Sequence, residues 1–176
     1  DQAMAYRYDI KNQGKALKEL LPEMIETCGK IAEEWKDFPC YDFIGAGFDY
    51  ATAWFGHAKM LEAAGKFAMH INTEEWFHLN FFARDAREMG TVVVANTTNP
   101  AHSRSKELVK YANVLHRPLV VVTDGDASDF NQEAATYIRV PKPEYPITMP
   151  VTQFAPVCLI AAYISEMIGE KYGRGC

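Results

Sequence analysis

The sequence has little of what a disulfide-stapled, nucleic-acid-binding or membrane-embedded protein needs. Its 176 residues hold four cysteines, Cys28, Cys40, Cys158 and Cys176. None stands in C-x-x-C spacing, and a chain of this size builds a core without staples, so reduced thiols in a cytoplasmic protein are expected. Basic residues are in deficit: 18 Lys and Arg against 23 Asp and Glu give a net charge of −5. No Lys/Arg stripe is present to neutralise a phosphate backbone, so nucleic acid is not an expected partner. No apolar run is read as approaching the roughly 20 residues that cross a bilayer, and no membrane association is expected. The chain starts at Asp1 without a charged-then-apolar leader, and the expectation is a non-secreted piece of a longer protein. There is no H-E-x-x-H, and His57, His70, His102 and His116 have no ligand spacing with one another, so no metal is expected. Internal repeats and low-complexity tracts are also missing.

What is present is alternation. Residues 7–35 carry Leu17, Leu20, Leu21, Met24, Ile25, Cys28, Ile31, Ala32 and Trp35 at spacings of three and four, one apolar stripe of a helix. Pro22 falls inside it and predicts a kink or two consecutive helices. Its polar first residues suit either a strap over a partner or the start of a helix covering a sheet. From residue 41 onward, strand-like runs at 41–45, 66–71, 90–95, 118–123 and 136–140 alternate with helix-like segments at 50–64, 73–79, 103–115 and 150–170. The runs at 90–95 and 118–123 are continuous and β-branched, as in strands buried on both faces. This predicts an α/β fold, a doubly wound parallel sheet of flavodoxin/Rossmann-like type with right-handed crossovers and helices on both faces. Residues 1–40 are read as an N-terminal helical segment packed on a domain of residues 41–176. The last helix is apolar around much of its circumference, which calls for cover on more than one side.

The candidate chemistry lies between Phe43 and His78. The first strand runs into Gly45-Ala46-Gly47, and glycines there permit a tight turn and leave helix N–H groups open to a ligand. Lys59 and Glu62 follow on the next helix, three residues apart and on one face. A carboxylate tuned toward neutral pKa can move a proton between adjacent carbons; the same pair also reads as a solvated surface contact. Glu75-x-x-His78 invites a di-iron reading, but such sites need two of these motifs and two more glutamates on long helices. The loop 96–105, with Asn96, Thr97, Ser103 and Ser105 near a helix N-terminus, suits a phosphate or sugar hydroxyl, or simply a helix cap at Ser103 or Ser105. Asp124-Gly125-Asp126 fits an acidic turn, and an EF-hand is excluded because the twelfth position from Asp124 is Ala135. Gly45-x-Gly47 lacks a third glycine and no acidic residue ends the next strand, so no nicotinamide cofactor, and no cofactor at all, is expected.

Taken together and without a gap, the glycine loop 45–47, Lys59-x-x-Glu62 and Glu75-x-x-His78 resemble the second lobe of the isomerase part of glucosamine-6-phosphate synthase. More broadly, residues 41–165 are similar to sugar isomerase (SIS) domains, which include phosphosugar isomerases, fructosamine-6-phosphate deglycases and non-catalytic phosphosugar sensors. The resemblance implies a sugar phosphate or amino-sugar phosphate as ligand and a first SIS lobe as partner. It implies that Glu62 shuttles the C1/C2 proton, that His78 assists ring opening (often from a partner subunit), and that Lys59 lies near the sugar hydroxyls. Gly45, Gly47, Glu75, Asn96, Thr97 and Ser103 complete the expected binding set, and a homodimer is the expected assembly. Three features depart from the pattern. The family's His-Gly-Pro is His78-Leu79-Asn80, a family glutamate is replaced by Phe55, and the lysine-bearing tail has no counterpart in Gly173-Arg174-Gly175-Cys176.

Overall fold

The computed structural model of the chain describes residues 1–84 and 86–171; Cys176 and the tail beside it lie outside the described residues. The elements are α1 (Gln2–Trp35), β1 (Cys40–Gly45), α2 (Gly47–Lys59), β2 (Phe67–Asn72), α3 (Thr73–His78), β3 (Met89–Val94), α4 (His102–Val114), β4 (Leu119–Thr123), β5 (Ala135–Arg139) and α5 (Pro150–Met167). The five strands form one parallel sheet in the order β2-β1-β3-β4-β5, as the alternation predicts.

Alternate residues of each strand feed two cores. Tyr41, Phe43, Val92, Val94, Val120 and Val122 join α1, α2 and α5 on one face. Ile44, Val93, Val121, Trp76 and Leu108 build the other face with α3 and α4. Period-two alternation in a strand covered on both sides explains why every residue of β4, and all of β3 after Met89, is buried, most of them valine.

Pro22 does not divide the first helix; α1 runs unbroken through it. Interior proline costs about 3 kcal/mol, and burial of Met24, Cys28, Ile31 and Trp35, at roughly 1.5–3 kcal/mol per large apolar side chain, outweighs it. The apolar α5 finds its cover within the chain, since it packs on both α1 and α2. One expectation needs correction: residues 146–167 are long and apolar enough to cross a membrane by length and composition, although half of that stretch is buried here, as in a core helix.

Candidate functional site

In the strand order β2-β1-β3-β4-β5 the chain leaves β1 toward one side and returns on the other at β3. At such a switch point the connections diverge and leave a crevice beyond the carboxyl ends of the strands. Gly45 enters this point so close to α2 that a Cβ on it would lie 2.6 Å from the Asp49 carbonyl oxygen. Gly47 turns the chain with φ +53°, a conformation that favours glycine. The helix then starts at Ala46 with no side-chain cap.

The opposite wall is the loop from β3 to α4, fastened by a residue that sequence reasoning passed over. The buried Asp49 carboxylate accepts from the Asn96 main-chain N–H (3.1 Å), the Asn96 side-chain amide (2.5 Å) and Asn99 Nδ2 (2.8 Å). Asn99 Nδ2 also donates to the Ala46 carbonyl (2.8 Å), tying loop to loop. Burial pushes the Asp49 carboxyl upward, against the pull of its hydrogen bonds from Asn96 and Asn99. Behind it, the Asp124 N–H donates to Asn96 Oδ1 (3.2 Å) and Asp124 Oδ1 accepts from the Thr97 N–H (2.7 Å). Between these walls lies a cleft of about 520 Å³, lined by Gly47 and Phe48 of α2, residues 98–100 of the loop, and Pro146 and Met149 ahead of α5.

The expected site residues do not converge here. Gly45 and Gly47 form the turn, but Asn96 is buried and its side-chain amide is spent on Asp49 and Asp124, so it holds the loop. Thr97 Oγ1 is buried with no hydrogen-bond partner among the described residues. Ser103 is exposed in the first turn of α4. Neither Ser103 nor Ser105 is the cap; Asn99 Oδ1 takes the Ala101 N–H at 2.9 Å in that place.

Lys59 and Glu62 lie at the far end of α2, about 20 Å from Gly47 by helix length. Their Nζ and Oε2 are 2.5 Å apart, the lysine side chain one-third exposed and the glutamate two-thirds. Glu62 is on a π-helical turn, Met60–Ala64, where the sequence predicts continued α-helix. Such turns widen the backbone and recur at functional sites. Phe55, standing where the family carries a glutamate, stacks on Phe154 with centroids 4.2 Å apart. The Cys158 thiol is held above its ordinary pKa by burial, with Lys59 pulling it down and Glu62 pushing it up.

Glu75 and His78 are both exposed on α3, past the carboxyl end of β2, whereas Glu62 precedes that strand. Six residues of β2 separate the two groups by about 20 Å, so Glu62 and His78 of one chain do not meet. His78 Nε2 is 3.5 Å from Glu74 Oε1. Glu74 also receives Arg104 Nε at 2.7 Å, and the Arg104 guanidinium lies 3.6 Å from the Phe77 ring centroid. The turn after His78 is locked from below. Asn80 Nδ2 donates to the buried Asp42 (2.9 Å), Trp76 Nε1 donates to the same carboxylate (3.2 Å), and Arg117 Nη1 lies 3.4 Å from it. Asn80, in the family's proline position, is thus an anchor.

His57 and His70 stack with centroids 4.3 Å apart. The His70 ring also packs on Tyr50, and burial followed by the neighbouring His57 lowers its pKa. Among the described residues no cluster of three or more His, Cys, Asp or Glu side chains suits a metal ion.

Fold and crevice together define a doubly wound α/β domain with its ligand edge at a β1/β3 switch point. More particularly, the fold is that of sugar isomerase domains. The C-terminal domain of glucosamine-fructose-6-phosphate aminotransferase from Francisella tularensis superposes with a TM-score of 0.80 at 18% identity, covering 90% of this chain and 44% of that one. The sugar isomerase domain of an RpiR transcription factor from Sphaerobacter thermophilus gives 0.72 at 19% identity, covering 96% and 92%. Tagatose-6-phosphate ketose/aldose isomerase from Escherichia coli gives 0.73 at 14% identity, covering 92% and 43%. The chain thus spans less than half of the aminotransferase and isomerase chains. No family model matches the sequence, and no curated protein matches it with significance.

Proposed function

We propose that this chain is the phosphosugar-binding lobe of a cytoplasmic aldose-ketose isomerase that works without a cofactor, with residues 41–176 as the SIS domain and residues 1–40 as its covering helix. The observation that carries this reading is the placement of Lys59 and Glu62. They sit paired and accessible where α2 ends at Lys59 and passes into the π-helical turn that carries Glu62, away from their own chain's cleft and from His78. Such halves become one site only when a second surface is brought to each. In this reading a first lobe supplies the phosphate grip and a second copy supplies His78. Glu62 carries the proton between C1 and C2, Lys59 orients the hydroxyls, and Glu75 lines the approach. A deglycase would use the same groups on a fructosamine phosphate. A non-catalytic sensor is the second reading, favoured by the near-complete span of the RpiR domain.

Glu62→Gln in the protein carrying both lobes is the test. Turnover of fructose 6-phosphate falls at least about a hundredfold, the scale of a positioned general base, with affinity near wild type and solvent deuterium no longer incorporated at C1 or C2. Unchanged turnover ends the isomerase reading. Binding without any turnover in the parent selects the sensor. The dimer is tested by sedimentation at tens of micromolar, where a standard-size interface is fully formed; a monomer there removes the shared-site argument.

A further inference from the structure

Beside His78, the exposed face of α3 carries a polar network that reaches into α4. Arg104, in the first turn of α4, donates twice to Glu74, from Nε to Oε2 at 2.7 Å and from Nη2 to Oε1 at 3.2 Å. Its third nitrogen, Nη1, donates to Glu107 Oε2 at 2.5 Å. The guanidinium carbon stands over the Phe77 ring, 3.6 Å from its centroid. The Glu74 N–H is taken by Asn72 Oδ1 at 3.0 Å, so the main chain and the side chain of Glu74 are both tied.

A lone surface ion pair holds its partners loosely and contributes little. A bidentate fork is different, because two parallel bonds fix the plane of the carboxylate. Here a ring and a second carboxylate hold the guanidinium in turn. What the Glu74 carboxylate faces is His78, one helical turn on, whose Nε2 is 3.5 Å from Glu74 Oε1. Catalytic hydrogen bonds are often this long before substrate arrives and tighten in the complex. The bonds from Arg104 hold the Glu74 carboxyl below the ordinary carboxylate value, so Glu74 is an anion and only accepts. The nitrogen that faces it then carries the proton, and the bond at one ring nitrogen sets the state of the other. Nδ1 keeps its lone pair, on a side chain that is two-thirds exposed.

We infer that Glu74, clamped by Arg104, is the positioning residue for His78, setting its imidazole as the Nε2–H tautomer with Nδ1 presented to the substrate. This role rests on the reading of His78 as the group that assists ring opening. In that step Nδ1 takes the proton of the anomeric hydroxyl as the bond from the anomeric carbon to the ring oxygen breaks, and passes the proton to that oxygen. The imidazolium formed in between lies against the Glu74 anion, which stabilises it and keeps the ring from turning away.

The test has two arms. In the 176-residue chain, ¹⁵N-labelled, the imidazole nitrogens of His78 are read by NMR at about pH 8.5, roughly two units above the ordinary histidine value. The parent chain is expected to show the Nε2–H tautomer alone. Glu74→Gln and Arg104→Met are expected to show a mixture of tautomers, with the thermal midpoint unchanged. In the protein carrying both lobes, Glu74→Gln lowers kcat for fructose 6-phosphate at least about tenfold, a share of what a positioned acid–base group supplies, with KM near that of the parent. Turnover of 5-deoxyfructose 6-phosphate, which has no hydroxyl with which to close the ring, stays as it was. Arg104→Lys, able to keep one bond to Glu74, retains most of the activity that Arg104→Met loses. In a His78→Asn background Glu74→Gln costs nothing further. A tautomer indifferent to Glu74→Gln overturns the inference whatever the protein catalyses. Equal losses on the closed and open substrates overturn it too, and so does a further loss in the His78→Asn background. A tautomer that moves as expected, in a protein whose turnover does not depend on Glu62, overturns the isomerase reading and takes this role with it.

Discussion

Asp49 receives Asn96 twice, through its main-chain N–H at 3.1 Å and its side-chain amide at 2.5 Å. A single carboxylate in the first turn of α2 thereby fixes the exit of β3, across the point where the sheet changes direction. The two walls of the cleft are positioned by one buried group.

Asp49→Ala should therefore be among the most damaging single changes near the cleft. It leaves the buried main-chain and side-chain donors of Asn96 without their acceptor, each such loss being worth about 1–3 kcal/mol, and leaves the half-buried Asn99 amide only the Ala46 carbonyl. A net destabilisation of roughly 3 kcal/mol is expected in urea titrations, part of the penalty being offset by removal of a buried charge. Asp49→Asn keeps one acceptor oxygen and costs less, about 2 kcal/mol. A change below half a kcal/mol for Asp49→Ala contradicts the role given to this residue.

Two glycine substitutions should move stability in opposite directions. Gly45→Ala puts its methyl carbon 2.6 Å from the Asp49 carbonyl oxygen, a backbone atom without freedom to retreat. Overpacking of this kind destabilises by about 1–3 kcal/mol. Gly14 sits in the middle of α1 with nothing within 4 Å of the position a Cβ would take. Gly14→Ala is expected to stabilise by about 0.5–1 kcal/mol through helix propensity. The two midpoint shifts, measured side by side, check the sign of each.

The buried pair of Asp42 and Arg117 predicts a non-additive cycle. Burial pushes the Asp42 carboxyl up and the Arg117 guanidinium down, while each partner opposes the shift of the other. Arg117→Ala strands a carboxylate that is fully enclosed and is expected to cost about 3–5 kcal/mol. Adding Asp42→Asn should recover a substantial part of that loss, because no charge is then left unpaired. Additive losses in the double variant would show that the two side chains act separately.

Acid sensitivity should map in part to Asp9. Burial pushes its carboxyl upward, but bonds from Thr148, from the N–H groups of Glu144 and Tyr145, and from Gln13 outweigh that and hold it below the ordinary carboxylate value. The folded pKa is thus below the unfolded one. The stabilisation is complete above the unfolded value of about 3.9 and fades as pH falls through the folded value. Asp9→Asn is expected to cost about 2 kcal/mol at pH 7, with the gap to wild type closing as pH falls below the unfolded value. A gap that widens in acid reverses the sign and refutes the assignment.

All five strands and the order of helices were legible, β3 and β4 as continuous β-branched runs of a strand buried on both faces and α1 from its apolar spacing of three and four. Gly45 and Gly47 were legible too, since a glycine at the end of an apolar run announces a tight turn. The polar anchors were not. Asp9 and Asp49 look in the sequence like any solvated carboxylate on a helix; only the pairing of distant segments buries them. Asp42 left a clue, a lone charge between Tyr41 and Phe43 in an apolar strand, and Arg117 left one beside the Pro118 that leads into β4. Neither names its partner. The separation of Glu62 from His78 was also beyond local reading, because sequence spacing records distance along the chain and β2 converts it into opposite edges of a sheet.

The Asp9 contacts reach across the chain in another sense. Its partners Glu144, Tyr145 and Thr148 are 135 to 139 positions away, and the helix that carries it packs on α5, the last element to be synthesised among the described ones. At roughly 5–20 residues per second, α1 waits roughly seven to twenty-six seconds on the ribosome before α5 is complete. Throughout that interval its stripe of Met24, Cys28, Ile31 and Trp35 has no docking surface on α5. Among the described segments α1 is thus the one that depends longest on chaperones or on slow translation, and truncations that remove α5 should aggregate through α1.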